Sequence, residues 1–246
     1  MEQRKRHGGN SGLGYYTSWE KGKENGCIYC GNPATTREHV PSKAFLIEPF
    51  PENLSTIPAC FECNNGFSAD ENYVSCFLDV LKSYIYADYS CNESTKQRLL
   101  KDEKLKQLLD EQIKLVGKEV HFSYDEKRLL RILEKLAVGH AGFEFDKVDF
   151  DRCVSISYDF IFNLSDEQIS NFNIISTNDT IAEISSRVGN TPCIIQNIET
   201  GEAYFFNAWN EVQENQYRYQ VYQNNQGGVS VKIVIYELLY CCADFM

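Results

Sequence analysis

Apolar and polar positions recur with two different periods along this chain, and the change of period divides it. Tyr73, Val74, Phe77, Leu78, Leu81 and Ile85 follow one another at helical spacing. Just upstream, Ser68-Ala69-Asp70-Glu71 has the Ser-x-x-Glu form of a capping box, which predicts a helix starting there. Ser90-Cys91-Asn92-Glu93-Ser94 breaks it, and a charged amphipathic helix resumes with Leu99, Leu100, Leu105, Leu108, Leu109 and Ile113. A third helix is predicted over 125–141: Leu129, Leu130, Leu133, Leu136 and Ala137 form one stripe, and Gly139 and Gly142 supply a stop.

From residue 153 the period becomes two. Val154, Ile156, Tyr158, Phe160 and Phe162 alternate with Ser155, Ser157, Asp159 and Ile161, as in a half-buried strand. Further strands are predicted over 173–176, 193–198 and 203–206. Tyr217, Tyr219 and Val221 then face a last long run from Val229 to Tyr240 across a hairpin-type loop at 224–228. Aromatic residues at period two read as sheet core before they read as a base-stacking surface.

The pattern implies an α+β fold in four stretches. Residues 1–24 have no periodicity and read as a flexible arm, 25–68 form a compact module, 69–145 are helical, and 146–246 are β-rich and of unknown role. No run of eighteen apolar residues occurs, and Met1–Arg6 has no apolar region behind it. Neither a membrane span nor a signal peptide is expected, and the default location is the cytoplasm.

Charge argues against broad nucleic-acid contact, since the chain carries −11. The balance is uneven, however. Residues 1–50 hold seven Lys or Arg against five Glu, a local +2, and the rest carries −13. The least acidic part is the one that holds the chemistry.

That chemistry starts with cysteine. In a reducing compartment ten cysteines do not imply disulfides. Cys76, Cys91, Cys153, Cys193, Cys241 and Cys242 have no ligand-like spacing and read as buried apolar residues. Cys27/Cys30 and Cys60/Cys63 do have it. Two C-x2-C pairs about thirty residues apart have the count and pairing of a closed tetrahedral zinc site. Four thiolates do not by themselves choose the metal, so rubredoxin-type iron is the competing occupant.

The pairs enclose Arg37-Glu38-His39-Val40-Pro41, and Asn64 follows Cys63 directly. A neutral imidazole accepts a proton from water at neutral pH. A carboxylate holds a hard divalent cation, and an amide oxygen can complete its protein ligands. Arg37 and Lys43 are candidates for phosphate binding. Glu38 and His39 are adjacent, so a regular strand would turn them to opposite faces; the strand is expected to end, twist or bulge there, with Pro41 placed to end it. His140 and His121 read as packing or surface residues, and His7 belongs to the arm.

The order Cys27/Cys30, Arg37-Glu38-His39-Val40-Pro41, Glu52-Asn53-Leu54, Cys60/Cys63, Asn64 resembles the HNH endonuclease family over residues 27–64. The resemblance implies a zinc-stabilised ββα-metal, treble-clef-like module and a hydrolase of DNA phosphodiester bonds, RNA staying open as a substrate. It implies His39 as general base, Glu38 and Asn64 as ligands of a catalytic Mg²⁺ or Mn²⁺, and Asn53 as a brace of the hairpin loop. Asn64 stands where the family usually has His, which makes this an HNN variant. Its oxygen is a harder ligand than imidazole and favours Mg²⁺ or Mn²⁺ over zinc. An effector of bacterial antiphage defence fits this reading, with the acidic 69–246 region meeting a protein partner, a second copy, or masking the nuclease. The alternative is a zinc-dependent nucleic-acid or protein binding module without catalysis.

Overall fold

The computed structural model describes residues 26–52, 54–144, 153–176, 180–181, 193–206, 209–223 and 227–245. The expected arm at 1–24, including His7, and the expected brace Asn53 lie outside the described residues.

The chain opens with a hairpin of β1 (Thr36–Val40) and β2 (Ser55–Ala59), followed at once by helix α1 (Phe61–Ile85). Helices α2 (Glu93–Lys101) and α3 (Glu103–Gln112), the hairpin β3 (Ile113–Val116) and β4 (Glu119–Phe122), and helix α4 (Glu126–Glu144) come next. Then follow β5 (Cys153–Phe160), α5 (Asp166–Phe172), β6 (Ile175–Ser176), β7 (Thr180–Ile181), β8 (Cys193–Gln196) and β9 (Ala203–Phe206). The described chain ends in β10 (Asn210–Gln213), β11 (Tyr217–Gln223), β12 (Val229–Ile235) and β13 (Leu239–Phe245). Antiparallel pairing arranges the main sheet as β10-β11-β12-β13-β5, with β7 pairing on β11, while β6-β9-β8 form a separate three-stranded sheet. Among the described residues no helix is long and apolar enough to cross a membrane.

One apolar core joins these parts. It runs from Phe45 and Leu46 in the β1–β2 loop through Tyr73, Phe77 and Leu81 of α1 and Ile132, Leu133 and Leu136 of α4 to Val231, Ile233 and Cys241 of the main sheet. The loop is also tied to the sheet by polar bonds. The Ile47 backbone donates to Gln213 Oε1 and accepts from Gln213 Nε2, both at 2.9 Å.

Five features differ from the sequence expectation. Helix α1 starts seven residues before Ser68 and runs straight through it, across the expected edge of the cysteine module. Its cap is Cys60, whose Sγ accepts the Cys63 N–H, so a metal-ligand motif starts the helix where side-chain statistics point elsewhere. The second helix is two, parted at Asp102, whose carboxylate accepts from the Leu105 N–H at 3.0 Å and caps α3; Leu100 is exposed, not core. Gly139 and Gly142 do not stop α4, which continues to Glu144. A Cβ at Gly139 would lie 3.3 Å from Val40 Cγ2, so that glycine lets the helix lie close on β1.

The other two differences are in the sheet. Strand β5 ends at Phe160, and Phe162, expected inside, is 45 % exposed. The run from Val229 to Tyr240 is two strands joined by a tight turn in which Tyr236 and Glu237 take φ values of +58° and +51°. No glycine marks that turn, so the unbroken apolar string concealed it.

His140 packs as expected. It is fully buried, bonded through Nε2 to the Tyr217 hydroxyl at 2.8 Å and stacked on Tyr219. His121 lies on exposed β4 beside Glu119. Of the non-ligand cysteines, Cys76 and Cys241 are buried and Cys91 and Cys242 half-buried; the side chains of Cys153 and Cys193 lie outside the described residues.

Candidate metal centre and the two faces of the first strand

The four paired cysteines come together. Cys27, Cys30, Cys60 and Cys63 offer sulfur atoms that all lie within 4.8 Å of one another. Cys27 and Cys30 sit in a tight knuckle. The Cys27 N–H donates to the Asn32 carbonyl (2.6 Å), and the Gly31 N–H donates back to the Cys27 carbonyl (2.8 Å). Gly26 enters it at φ +79°, and a Cβ there would meet the Gly31 oxygen at 2.4 Å, so only glycine suits the position. Cys60 caps α1 and Cys63 lies in its first turn, where the Cys63 N–H donates to Cys60 Sγ at 3.3 Å and the helix N-terminus favours negative sulfur.

The arrangement fits a structural metal ion such as zinc. Zn–S bonds of about 2.3 Å in a tetrahedron give sulfur–sulfur edges of about 3.8 Å, and Cys30 Sγ lies 3.7 Å from Cys60 Sγ. Burial and the neighbouring sulfurs push the Cys63 thiol far up, while a backbone hydrogen bond from Asn32 draws Cys30 down. A closed set of four ligands leaves no position for substrate.

Strand β1 separates the other expected site residues. Its register with β2 is regular from Thr36↔Ala59 to Val40↔Ser55, with no bulge between Glu38 and His39. The break expected there does not occur; the strand ends only after Val40, before Pro41. Thr36, Glu38 and Val40 therefore share one face, and Arg37 and His39 share the other.

The first face packs inward. Asn64 of α1 donates through Nδ2 to Thr36 Oγ1 (3.1 Å) and to the Arg37 carbonyl (3.4 Å), which turns its Oδ1 away from both. Glu38 is 5 % exposed, and its Oε1 accepts from Lys135 Nζ of α4 at 2.7 Å. The same ammonium contacts Glu71 Oε1 of α1. Burial pushes the Glu38 carboxyl above the ordinary range despite the opposing pull of Lys135. Tyr29 links this cluster to the cysteines: burial, then Glu38 and Glu71, then Cys27 and Cys63 hold its phenol well above its usual value. Its ring meets Phe67 edge-on at 5.1 Å, and Lys135 Nζ lies 5.3 Å from the same Phe67 ring.

The second face carries His39. Burial lowers its pKa, Lys43 lowers it further, and the Ser55 backbone opposes both. Its Nδ1 is buried and makes no hydrogen bond among the described residues. Arg37 and Lys43 are exposed. Beside Lys43, a cleft of about 390 Å³ is bounded by Ser42, Phe50, Glu71, Asn72 and Arg98.

The structure thus brings His39, Arg37 and Lys43 to one side of β1, and Glu38 and Asn64 to the other. Lys135, Glu71 and Tyr29 escaped the sequence reading. No local signal marked Lys135, because it precedes Leu136 by one position and adjacent residues of a helix do not share a face. No protein-family model matches the chain, and neither a curated protein nor a solved structure matches it.

Proposed function

We propose that residues 27–64 are a zinc-framed finger of the HNH, ββα-metal type and that the chain hydrolyses phosphodiester bonds in DNA, with His39 as general base. The observation that supports this is the outer face of β1. It carries an imidazole kept neutral by burial, next to two exposed cations. A neutral His39 accepts a proton from an attacking water. Arg37 and Lys43 hold the phosphoryl oxygens on either side of the scissile bond. Cys27, Cys30, Cys60 and Cys63 would hold a zinc ion that ties the knuckle to α1 and takes no part in the reaction.

The Mg²⁺ or Mn²⁺ that the resemblance implies would neutralise the phosphoryl oxygens and the departing 3′ oxygen. The implied ligands do not fit such an ion beside His39, because the Glu38 carboxylate is buried and bonded to Lys135 and Asn64 lies with it on the other side of β1. The charge on the phosphate therefore falls to Arg37 and Lys43.

That closed carboxylate favours a second reading, a zinc-dependent nucleic-acid or protein binding module without catalysis. A plasmid-nicking assay of the zinc-loaded wild type and His39→Ala, with Mg²⁺, with Mn²⁺ and with chelator, separates the two. The nuclease reading expects nicking by the wild type and its loss in a folded His39→Ala protein. Equal behaviour of the two proteins under every condition sinks it.

A further inference from the structure

We propose that Lys135 is the resident cation of this finger: its ammonium holds the place between Glu38 and Glu71 and closes Glu38 to a divalent ion. The inference rests on the HNH-like reading only in naming Glu38 as the implied metal ligand.

Three separate elements converge on this point. Glu38 comes from β1, Glu71 from α1 and Lys135 from α4, and their side chains are 7 %, 10 % and 1 % exposed. The two carboxylates face each other closely enough that each contacts the same nitrogen. Like charges at that separation cannot both stay ionised in a buried site without a cation between them. The protein supplies one.

A divalent ion could enter only by displacing that ammonium. Mg²⁺ and Mn²⁺ need oxygen contacts of about 2.1 Å, and an ammonium already bonded to the same oxygen would repel them. Lys135 cannot step aside into water, for its side chain is almost wholly enclosed and its ammonium lies over the Phe67 ring. Helix α4 cannot easily carry it away either, being packed on β1 through Gly139 and on the core through Ile132, Leu133 and Leu136. Glu71, in contrast, borders the open cleft beside Lys43. An ion therefore has a route to the carboxylate pair once the lysine is gone.

The test uses the full zinc-loaded chain and Mn²⁺ as probe, with binding read by electron paramagnetic resonance. Wild type is expected to show no Mn²⁺ site that depends on Glu38, giving the same spectra as Glu38→Gln. Lys135→Met, which keeps the stem and removes the charge, is expected to gain one Mn²⁺ per chain, lost again when Glu38→Gln is added. A Mn²⁺ site in the wild type that Glu38→Gln abolishes overturns the proposal, as does a folded Lys135→Met protein that binds none. If Lys135→Met does not fold, the comparison of wild type with Glu38→Gln decides alone. Cleavage is not read in this experiment, so the nuclease reading can fail while Lys135 keeps its role, and the reverse.

Discussion

Two clusters of ligand-type side chains, four thiols and two carboxylates, lie side by side in this protein, and the fold treats them differently. Four cysteines converge, and among the described residues no basic side chain is found with the groups that shift Cys30, Cys60 or Cys63. Two carboxylates converge with a lysine between them. The buried carboxylates could not both stay ionised if left alone. The first cluster leaves its positive charge to come from outside, and soft thiolates select a metal such as zinc. The second receives its charge from α4 as part of folding. Ligand-type residues gathered in space therefore mark a metal only where the chain has not brought its own cation.

The largest effect should follow from breaking the thiolate cluster. Serine at position 60 can still cap α1, so Cys60→Ser removes a metal ligand while keeping the cap. Structural zinc contributes roughly 10–16 kcal/mol to the folding of small sites of this kind. Cys60→Ser is expected to lose the ion and to unfold the knuckle and hairpin, seen as zinc content near zero and early proteolysis within 26–60. A variant that keeps full stability without metal would show that the four sulfurs pack as plain buried thiols.

Lys135→Met comes next. It strands two buried carboxylates, and removing one partner of a buried ion pair costs about 3–5 kcal/mol. Adding Glu38→Gln and Glu71→Gln should restore most of the loss, because the charges to be compensated are then gone. Urea unfolding of the single and triple variants in metal-free buffer measures both effects. A single variant as stable as wild type would mean that the lysine is not needed to hold the carboxylates, and the contrast between the clusters would collapse.

The parts of the molecule legible in the sequence are those ruled by local spacing. The cysteine pairs, the helical stripe of α1 from Tyr73 to Leu81 and the alternation of β5 all follow from period and count. What escaped depends on contacts between distant residues or on backbone geometry without a marker. Cys60 starts α1 because its sulfur caps the helix, and Ser68 merely resembles a cap. Tyr236 and Glu237 turn the chain without glycine. The division of β1 into two faces was expected from parity, but the strand was expected to break it; the continuous pairing with β2 keeps it. Lys135 lies ninety-seven positions from Glu38, and no local pattern pairs them.

The smallest effect concerns the outer face of β1, whose cations Arg37 and Lys43 are exposed where Lys135 is buried. Burial and Lys43 hold the His39 pKa below its usual value, so the folded chain binds fewer protons than the unfolded one as pH falls. The contribution of His39 to stability is then fully present above the ordinary histidine value of about 6.5. It is lost as pH drops through that value towards the lower folded one. Water screens a partly exposed ring, which keeps the change modest. Unfolding curves collected between pH 5 and 8 should therefore slope downward on the acid side, and His39→Gln should flatten that slope. Nuclear magnetic resonance titration of the His39 ring checks the same point directly. A midpoint at or above the usual value would mean that Lys43 does not reach the imidazole and that a neutral base is not assured near pH 7. The outer face would then lose the property that sets it apart from the lysine-filled inner one.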